Sequence, residues 1–154
     1  ISQKKNMAPT LEFLWAMKLY DMANAPTSTF RAAVEVVDQL LWSRLAPAPQ
    51  EAVQLLESSI LPAMEQRGLV EHFMELRSLY AVALACVERY ADARAVLQAL
   101  RPFHSGLDAQ DRAVTERRAA MVEGLAGGSL RYIGGLLIDR LGRPAFTDAL
   151  VVAG

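Results

Sequence analysis

The residues whose types best suit metal chemistry are Glu71, His72 and Glu75, which form an E-H-x-x-E group near the start of a predicted helix. His72 and Glu75 are one helical turn apart, and this spacing can direct two ligands towards one ion. A complete site needs at least a third ligand, but the other histidine, His104, falls in a distant predicted loop. We therefore interpret the group as the solvated start of a helix and expect neither a metal nor another cofactor.

The sequence also offers no recognisable nucleophile paired with a base. Its single cysteine, Cys86, lies in the most apolar predicted helix, where a small buried side chain is expected. A lone cysteine excludes an internal disulfide and favours a reducing, cytoplasmic compartment. The glycine pairs at 127–128 and 134–135 follow no predicted strand and precede no Gly-Lys-Ser/Thr, so they do not form a phosphate loop. No catalytic residue can be assigned, and the chain is predicted not to be an enzyme.

Composition bounds the class of protein. The 154 residues are 53% apolar and 21% charged, which is typical of one folded domain with a sizeable core. The net charge of −1 provides no basic field for nucleic acid, and although 133–150 can be laid on a helix-turn-helix pattern, a basic recognition helix is missing. The longest uncharged apolar run, 80–87, is far shorter than the roughly 20 residues of a membrane span. We therefore expect neither nucleic acid binding nor a membrane span.

Apolar residues recur at helical spacing along most of the chain, and no stretch alternates with the period of a strand, so an all-α fold without a sheet is predicted. The predicted helices cover 10–23, 29–45, 49–67, 69–89, 91–101, 108–125, 130–141 and 145–152. Residues 1–6 are interpreted as a linker or a cloning remnant, 7–126 as a helical domain, and 127–154 as C-terminal helices that pack on the body or form an interface. The helix over 69–89 is apolar on most of its circumference, which places it at the centre of the molecule.

Residues 77–105 carry small and large side chains at the spacing of two closely packed antiparallel helices. The residues that form this pattern are Ala81, Leu84, Tyr90, Ala93 and Leu97. Small residues let two helices approach, and large residues fill the groove beside them. In these positions the segment resembles a tetratricopeptide (TPR) repeat. It departs from the repeat pattern at the tryptophan position, which is Arg77, and at the glycine before the turn, which is Glu88.

The resemblance implies antiparallel helical hairpins stacked as a short TPR-like right-handed array; the alternative is an irregular helical bundle. It also implies a non-enzymatic scaffold or adaptor that binds a partner protein or helical peptide in an apolar groove. The residues expected to line the groove are Phe73, Leu76, Arg77, Tyr80, Val34, Val37 and Leu41. A second copy of this chain, in a homodimer, is a further candidate partner. The alternative function is that of a sensory or regulatory domain of a larger signalling protein, which binds a small apolar ligand between its helices.

Overall fold

The computed structural model describes residues 26–66 and 70–146, without the side chains of 26–28 and 70–73. Its elements, in chain order, are α1 Pro26–Trp42, α2 Pro49–Leu55, a π-helical turn Leu56–Ile60, α3 Leu61–Gln66, α4 Val70–Cys86, α5 Tyr90–Leu100, a 3-10 segment Arg101–Gly106, α6 Ala109–Gly127, β1 Leu130–Ile133 and β2 Leu136–Asp139. The body is therefore helical, as predicted, with a small two-stranded sheet added. The helix predicted over 10–23 lies outside the described residues.

Helix α4 is the centre of the described molecule. It packs against α1, α2, α3, α5 and α6. Its second half is buried all round, since the residues from Ala81 to Ala85 are at most 1% exposed. The central position predicted from its apolar circumference is confirmed, because a helix without a polar face needs neighbours on every side.

The segment from α2 to α3 is one continuous helical rod with a π-helical turn in its middle. Pro49 opens it at the first helical position, where the missing N–H of proline costs nothing. A kink or break is expected at Pro62, because proline cannot donate to the helix ladder. The rod instead widens one turn earlier: the N–H of Leu61 donates to the carbonyl of Leu56, five residues back.

Helix α6 has defined stops at both ends. The Asp108 side chain accepts a hydrogen bond of 2.8 Å from the N–H of Asp111 and caps the first turn. Gly128 ends the helix in the left-handed conformation, with φ +84°. Because the chain reverses here, the residues after Gly128 return towards the helices.

The C-terminal hairpin, residues 130–139, overturns the prediction of C-terminal helices and of a fold without a sheet. β1 and β2 pair antiparallel, with Ile133 opposite Leu136. Gly134 and Gly135 lie between them at φ +57° and +79°, the two positive values that a two-residue type I′ turn requires. In the helix predicted over 130–141 this glycine pair would be a weak point, whereas in the structure it forms the turn of the hairpin. The helix-turn-helix pattern over 133–150 is excluded for the same reason.

The outer edge of β2 is also covered. Asp139 N donates to the Arg143 carbonyl at 2.9 Å, and Ala145 N donates to the Leu137 carbonyl at 2.8 Å. Of the helix predicted over 145–152, the described residues 145 and 146 are not helical, and the remainder lies outside the described residues. Within 26–66 and 70–146, the helices are too short or too polar to cross a membrane.

Candidate functional site

A polar cluster joins three helices that the apolar core alone would not fix in register. Arg118 of α6 reaches α4, where its guanidinium donates to the Glu75 carbonyl at 2.7 Å and to the Ser78 hydroxyl at 3.0 Å. It also faces the Glu75 carboxylate, with Nη2 to Oε1 at 3.7 Å. Ser78 in turn donates to the Glu75 carbonyl at 2.8 Å. The Arg118 side chain is 12% exposed, so this is a nearly desolvated charge held by an ion pair and two hydrogen bonds.

Asp38 of α1 completes the cluster with a second carboxylate. Burial raises the pKa of Asp38 from 3.8 to about 6, and the positive charge of Arg118 opposes this rise. The nearby indole of Trp42, one turn along α1, lowers the pKa of Asp38, whereas the negative charge of Glu75 raises it. Arg118 therefore pairs directly with Glu75, and its positive charge also favours the ionised form of Asp38.

Arg118 remains the cation of the cluster. Burial lowers the pKa of Arg118 from its ordinary value, and the carboxylates of Glu75 and Asp38 oppose this change. A guanidinium titrates so far above neutral pH that it stays protonated in proteins. Its N–H donors bond to the Glu75 carbonyl and the Ser78 hydroxyl. Arg118 therefore stabilises the packing of α6 on α4 rather than presenting a cation to a ligand.

The C-terminal hairpin is seated on the end of α1 beside this cluster. The ring of Tyr132 meets that of Trp42 edge to face, with centroids 5.9 Å apart and planes at 67°. The Tyr132 hydroxyl donates to the carbonyl of Leu41, which lies in the last turn of α1. At Gly135, an added Cβ would lie 2.5 Å from the Ser43 carbonyl oxygen, so the hairpin turn sits directly on the chain that leaves α1.

The contact between the Trp42 and Tyr132 rings joins the hairpin to α1, and Tyr132 is the titratable group of the hairpin in that contact. Burial raises the pKa of Tyr132 well above its ordinary range, so its hydroxyl remains a proton donor at neutral pH.

A second polar group lies where α4, α5 and the π-helical turn meet. The Tyr80 hydroxyl donates to the Glu57 carboxylate at 2.6 Å, and Arg89 lies 3.3 Å from the same carboxylate. Arg89 also pairs with Asp92 at 2.9 Å. Burial, and then the bond to Glu57, raise the pKa of Tyr80 to about 12. The π-helical turn therefore carries the acid that fixes the Tyr80 side chain on α4.

The structure corrects the predicted lining of an apolar groove. Val37, Leu41 and Leu76 are each 0% exposed and belong to the central core, so they hold the helices together and present no surface to a partner. Val34 is partly buried against the same core. An amphipathic pattern identifies the buried face of a helix but does not distinguish a core from a binding groove. Val37, Leu41 and Leu76 are therefore core residues and not contact residues.

The other predicted contact residues remain near the surface or lie outside the described side chains. Arg77 and Tyr80 are half-buried on α4, one turn apart, and each makes polar contacts within the chain. The Phe73 side chain lies outside the described residues, and so does that of His72. Among the side chains that are described, no group of three His, Cys, Asp or Glu residues is arranged to hold a metal ion.

Cys86 is buried at the end of α4, as predicted, and burial raises the pKa of its thiol. The thiolate form that a nucleophile needs is thereby disfavoured. For Arg118, in contrast, the sequence pattern is misleading. Its position among acidic residues predicts a solvated helix face, whereas its side chain is mostly buried. Asp38 lies between Glu35 and Gln39 on a helix with one apolar face, a pattern that predicts a solvent-facing side chain, whereas the structure leaves it half-buried. No local signal in the sequence marks either residue as part of the interior.

Comparisons with protein families, with curated proteins and with solved structures return no match for this chain. The functional proposals below therefore rest on the contacts of its own residues.

Proposed function

We propose that this protein is a non-enzymatic interaction scaffold of TPR-like helical hairpins, which binds a partner protein or helical peptide. The observation that carries the proposal is the packing of α4 against both α5 and α6, with α6 also touching α5. A helix hairpin followed by a third helix that covers the first is the packing unit of a helical-repeat array. Ala81 and Ala93, the small residues of the repeat pattern, are both 0% exposed.

The turn of the α4–α5 hairpin supports the same proposal. Glu88 stands at the glycine position of the repeat pattern, and its φ is +66°. Glycine adopts this left-handed conformation without strain, whereas other residues pay a steric cost. The backbone of this turn therefore has the form that the repeat pattern requires, although the glycine itself is missing.

The contact surface we propose is the part of α4 that carries Arg77 and Tyr80. Arginine and tyrosine are the residue types that, with tryptophan, most often dominate the energy of protein interfaces. The hydrogen bond from Tyr80 to Glu57 holds the tyrosine ring in place before a partner arrives, which lowers the entropy lost on binding. Because Val37, Leu41 and Leu76 are buried, the surface is a polar and aromatic one rather than an apolar groove.

A photo-crosslinking residue at position 77 tests this surface, with position 98 on the exposed side of α5 as the matched control. The partner crosslinked at 77 is identified by mass spectrometry, purified and titrated against the wild type and against Tyr80→Ala and Gln98→Ala. We expect Tyr80→Ala to weaken binding about tenfold or more, and Gln98→Ala to leave it unchanged. Crosslinking that is equal at both positions, or binding that is insensitive to Tyr80→Ala, would contradict the proposal.

The alternative, a sensory or regulatory domain that binds a small apolar ligand, stays a prediction. Native mass spectrometry of the purified chain tests it, because a retained ligand adds its own mass to the 16.9 kDa of the polypeptide. A dimer or a bound peptide would give a distinct mass in the same measurement, and either of these would favour the scaffold.

A further inference from the structure

We propose that the C-terminal hairpin and the adjacent loop 43–46 form a face that binds the surface of an anionic lipid bilayer without crossing it. Exposed arginines and exposed aliphatic side chains occur together there. The members of this basic face are Arg44, Leu45, Arg131, Ile133, Arg140, Leu141 and Arg143. Its role is separate from the partner surface proposed on α4 and does not depend on it.

The hairpin and the loop belong to one surface because they are in contact. An added Cβ at Gly135 would lie 2.5 Å from the Ser43 carbonyl oxygen, so the hairpin turn touches the start of the loop. Arg131 and Ile133 are the exposed residues of β1, and because they alternate with more buried ones they share the outer side of the hairpin. Residues 140–143, at the opposite end of the hairpin from its turn, are also exposed.

The aliphatic members of the basic face protrude from the protein. Leu45 is 99% exposed, Leu141 75% and Ile133 52%, so these side chains contribute little to the core. A polyanion such as a nucleic acid backbone would pair with the arginines but would leave the aliphatic side chains in water. The headgroup boundary of a bilayer accepts both, because it takes up protruding apolar side chains and attracts the cations beside them.

The charge of the basic face is not neutralised by neighbouring acids. Segments 43–46 and 129–146 contain four arginines and a single acid, Asp139, so they carry +3 in a chain whose net charge is −1. The Asp139 carboxylate accepts hydrogen bonds from the N–H groups of Leu141 and Arg143, both at 2.9 Å. Among the residues that the structure describes, none of these four arginines forms an ion pair. The remainder of the chain carries −4, so an anionic surface attracts the basic face and repels the rest.

Sedimentation of the full chain with lipid vesicles tests the proposal. One set of vesicles is phosphatidylcholine alone, and the other contains about 30% phosphatidylserine. We expect binding to the second set only, and weaker binding at high salt because the surface charge is then screened. The double variant Arg44→Gln/Leu45→Ser should lower the partition coefficient about tenfold or more, since each cation near such a surface contributes roughly fivefold.

The matched control is Arg101→Gln/Phe103→Ser, which also removes one exposed arginine and one exposed apolar side chain. These residues precede α6 and the hairpin follows it, so about 28 Å of helix separates the control positions from the hairpin. The control should bind vesicles like the wild type. Binding that is absent, equally strong without phosphatidylserine, or equally reduced in both double variants would overturn the proposal.

A dye at position 141 distinguishes insertion of the aliphatic side chains from attraction by charge alone. Cys86 is buried, so the thiol of a Leu141→Cys variant can be labelled selectively with an environment-sensitive dye. We expect blue-shifted emission on phosphatidylserine vesicles but not with polyglutamate, and no shift for the same dye in Phe103→Cys. Binding to polyglutamate as tight as to vesicles, with no emission shift at position 141, would assign the basic face to an acidic macromolecule and overturn the bilayer proposal.

Discussion

The α4–α5 hairpin and the C-terminal hairpin are both turns of chain that return on themselves, but different contacts hold them in place. The α4–α5 hairpin is fixed by apolar packing of residues such as Ala81, Leu84 and Ala93, each 0% exposed. The C-terminal hairpin also buries Leu130 and Leu137 in the core, and it adds specific contacts to the end of α1 through the Tyr132 side chain and the close approach at Gly135. The packing of the first hairpin is distributed over many atoms, whereas the seating of the second on α1 depends on a few. Single substitutions should therefore affect the second region far more selectively.

The largest effect is expected at Arg118, which joins α6 to α4 and faces Asp38. Arg118→Met removes the cation and leaves two acids without it, which should lower the free energy of unfolding by about 3 to 4 kcal/mol. Urea denaturation at pH 7 measures this loss. Arg94→Met is the matched control, because Arg94 pairs with Glu123 at 2.9 Å on the surface, and its effect should be much smaller. Equal losses of unfolding free energy in Arg118→Met and Arg94→Met would show that the internal cluster stabilises the protein no more than a surface ion pair does.

The next effect isolates the seating of the C-terminal hairpin. Gly135→Ala places a Cβ 2.5 Å from the Ser43 carbonyl oxygen at φ +79°, so a steric clash and backbone strain should together cost about 2 to 3 kcal/mol. Gly134→Ala has a similar φ of +57° but open space around the added atom, so only strain of about 1 kcal/mol is expected. The difference in thermal stability between the two variants measures the steric clash at position 135 separately from the backbone strain. A Gly135→Ala variant no less stable than Gly134→Ala would refute the seating of the turn on α1.

A third effect has the opposite sign. Asp38→Asn removes a charge that is costly in its half-buried position, so the variant should be more stable than the wild type by at most about 3 kcal/mol at pH 7.5. The difference should vanish near pH 4, because the wild-type stability linked to this group is fully present below pH 3.8 and is lost as the pH rises through about 6. Urea denaturation across this range tests the sign. A variant less stable than the wild type at pH 7.5 would mean that Arg118 more than compensates the burial of Asp38.

The smallest effect belongs to the α4–α5 hairpin. Glu88→Gly should raise the free energy of unfolding by about 1 kcal/mol, because glycine adopts φ +66° without steric strain. Glu116→Gly, at an exposed position within α6, is the reference for glycine in ordinary helical geometry, and it should be destabilising. Chemical denaturation of both variants gives the comparison. A loss of stability in Glu88→Gly would place the strain of the turn elsewhere.

The helices of the body were predictable because each buries a periodic apolar face. The stretch predicted as a helix over 69–89 is α4, Val70–Cys86, and the one over 91–101 is α5, Tyr90–Leu100. The C-terminal hairpin was missed because four-residue apolar strands have no period long enough to separate them from a helix. Gly134-Gly135 was the one local signal, and a glycine pair between apolar runs marks a hairpin turn as well as a weak helix.

The polar cluster was beyond reach of the sequence for a different reason. Asp38 stands between Glu35 and Gln39 on the polar side of an amphipathic pattern, and Arg118 stands in a run of mixed charge; both patterns predict solvated helix faces. Their burial depends on how α1, α4 and α6 are placed around one another, and no local pattern encodes that placement. The opposite error was made for Val37, Leu41 and Leu76, which were predicted to line a groove but are buried in the core. Apolar periodicity is the same for a core and for a groove, so it does not distinguish them.

The most direct test of the buried junction between α1, α4 and α6 is the titration of the Asp38 side-chain carboxyl carbon by NMR in the folded wild-type protein. Asp38→Asn assigns the resonance, because the signal disappears in that variant. A midpoint near 6 is expected because burial between the helices disfavours the ionised carboxyl. A midpoint near 3.8, the value of a solvated aspartate, would contradict the junction.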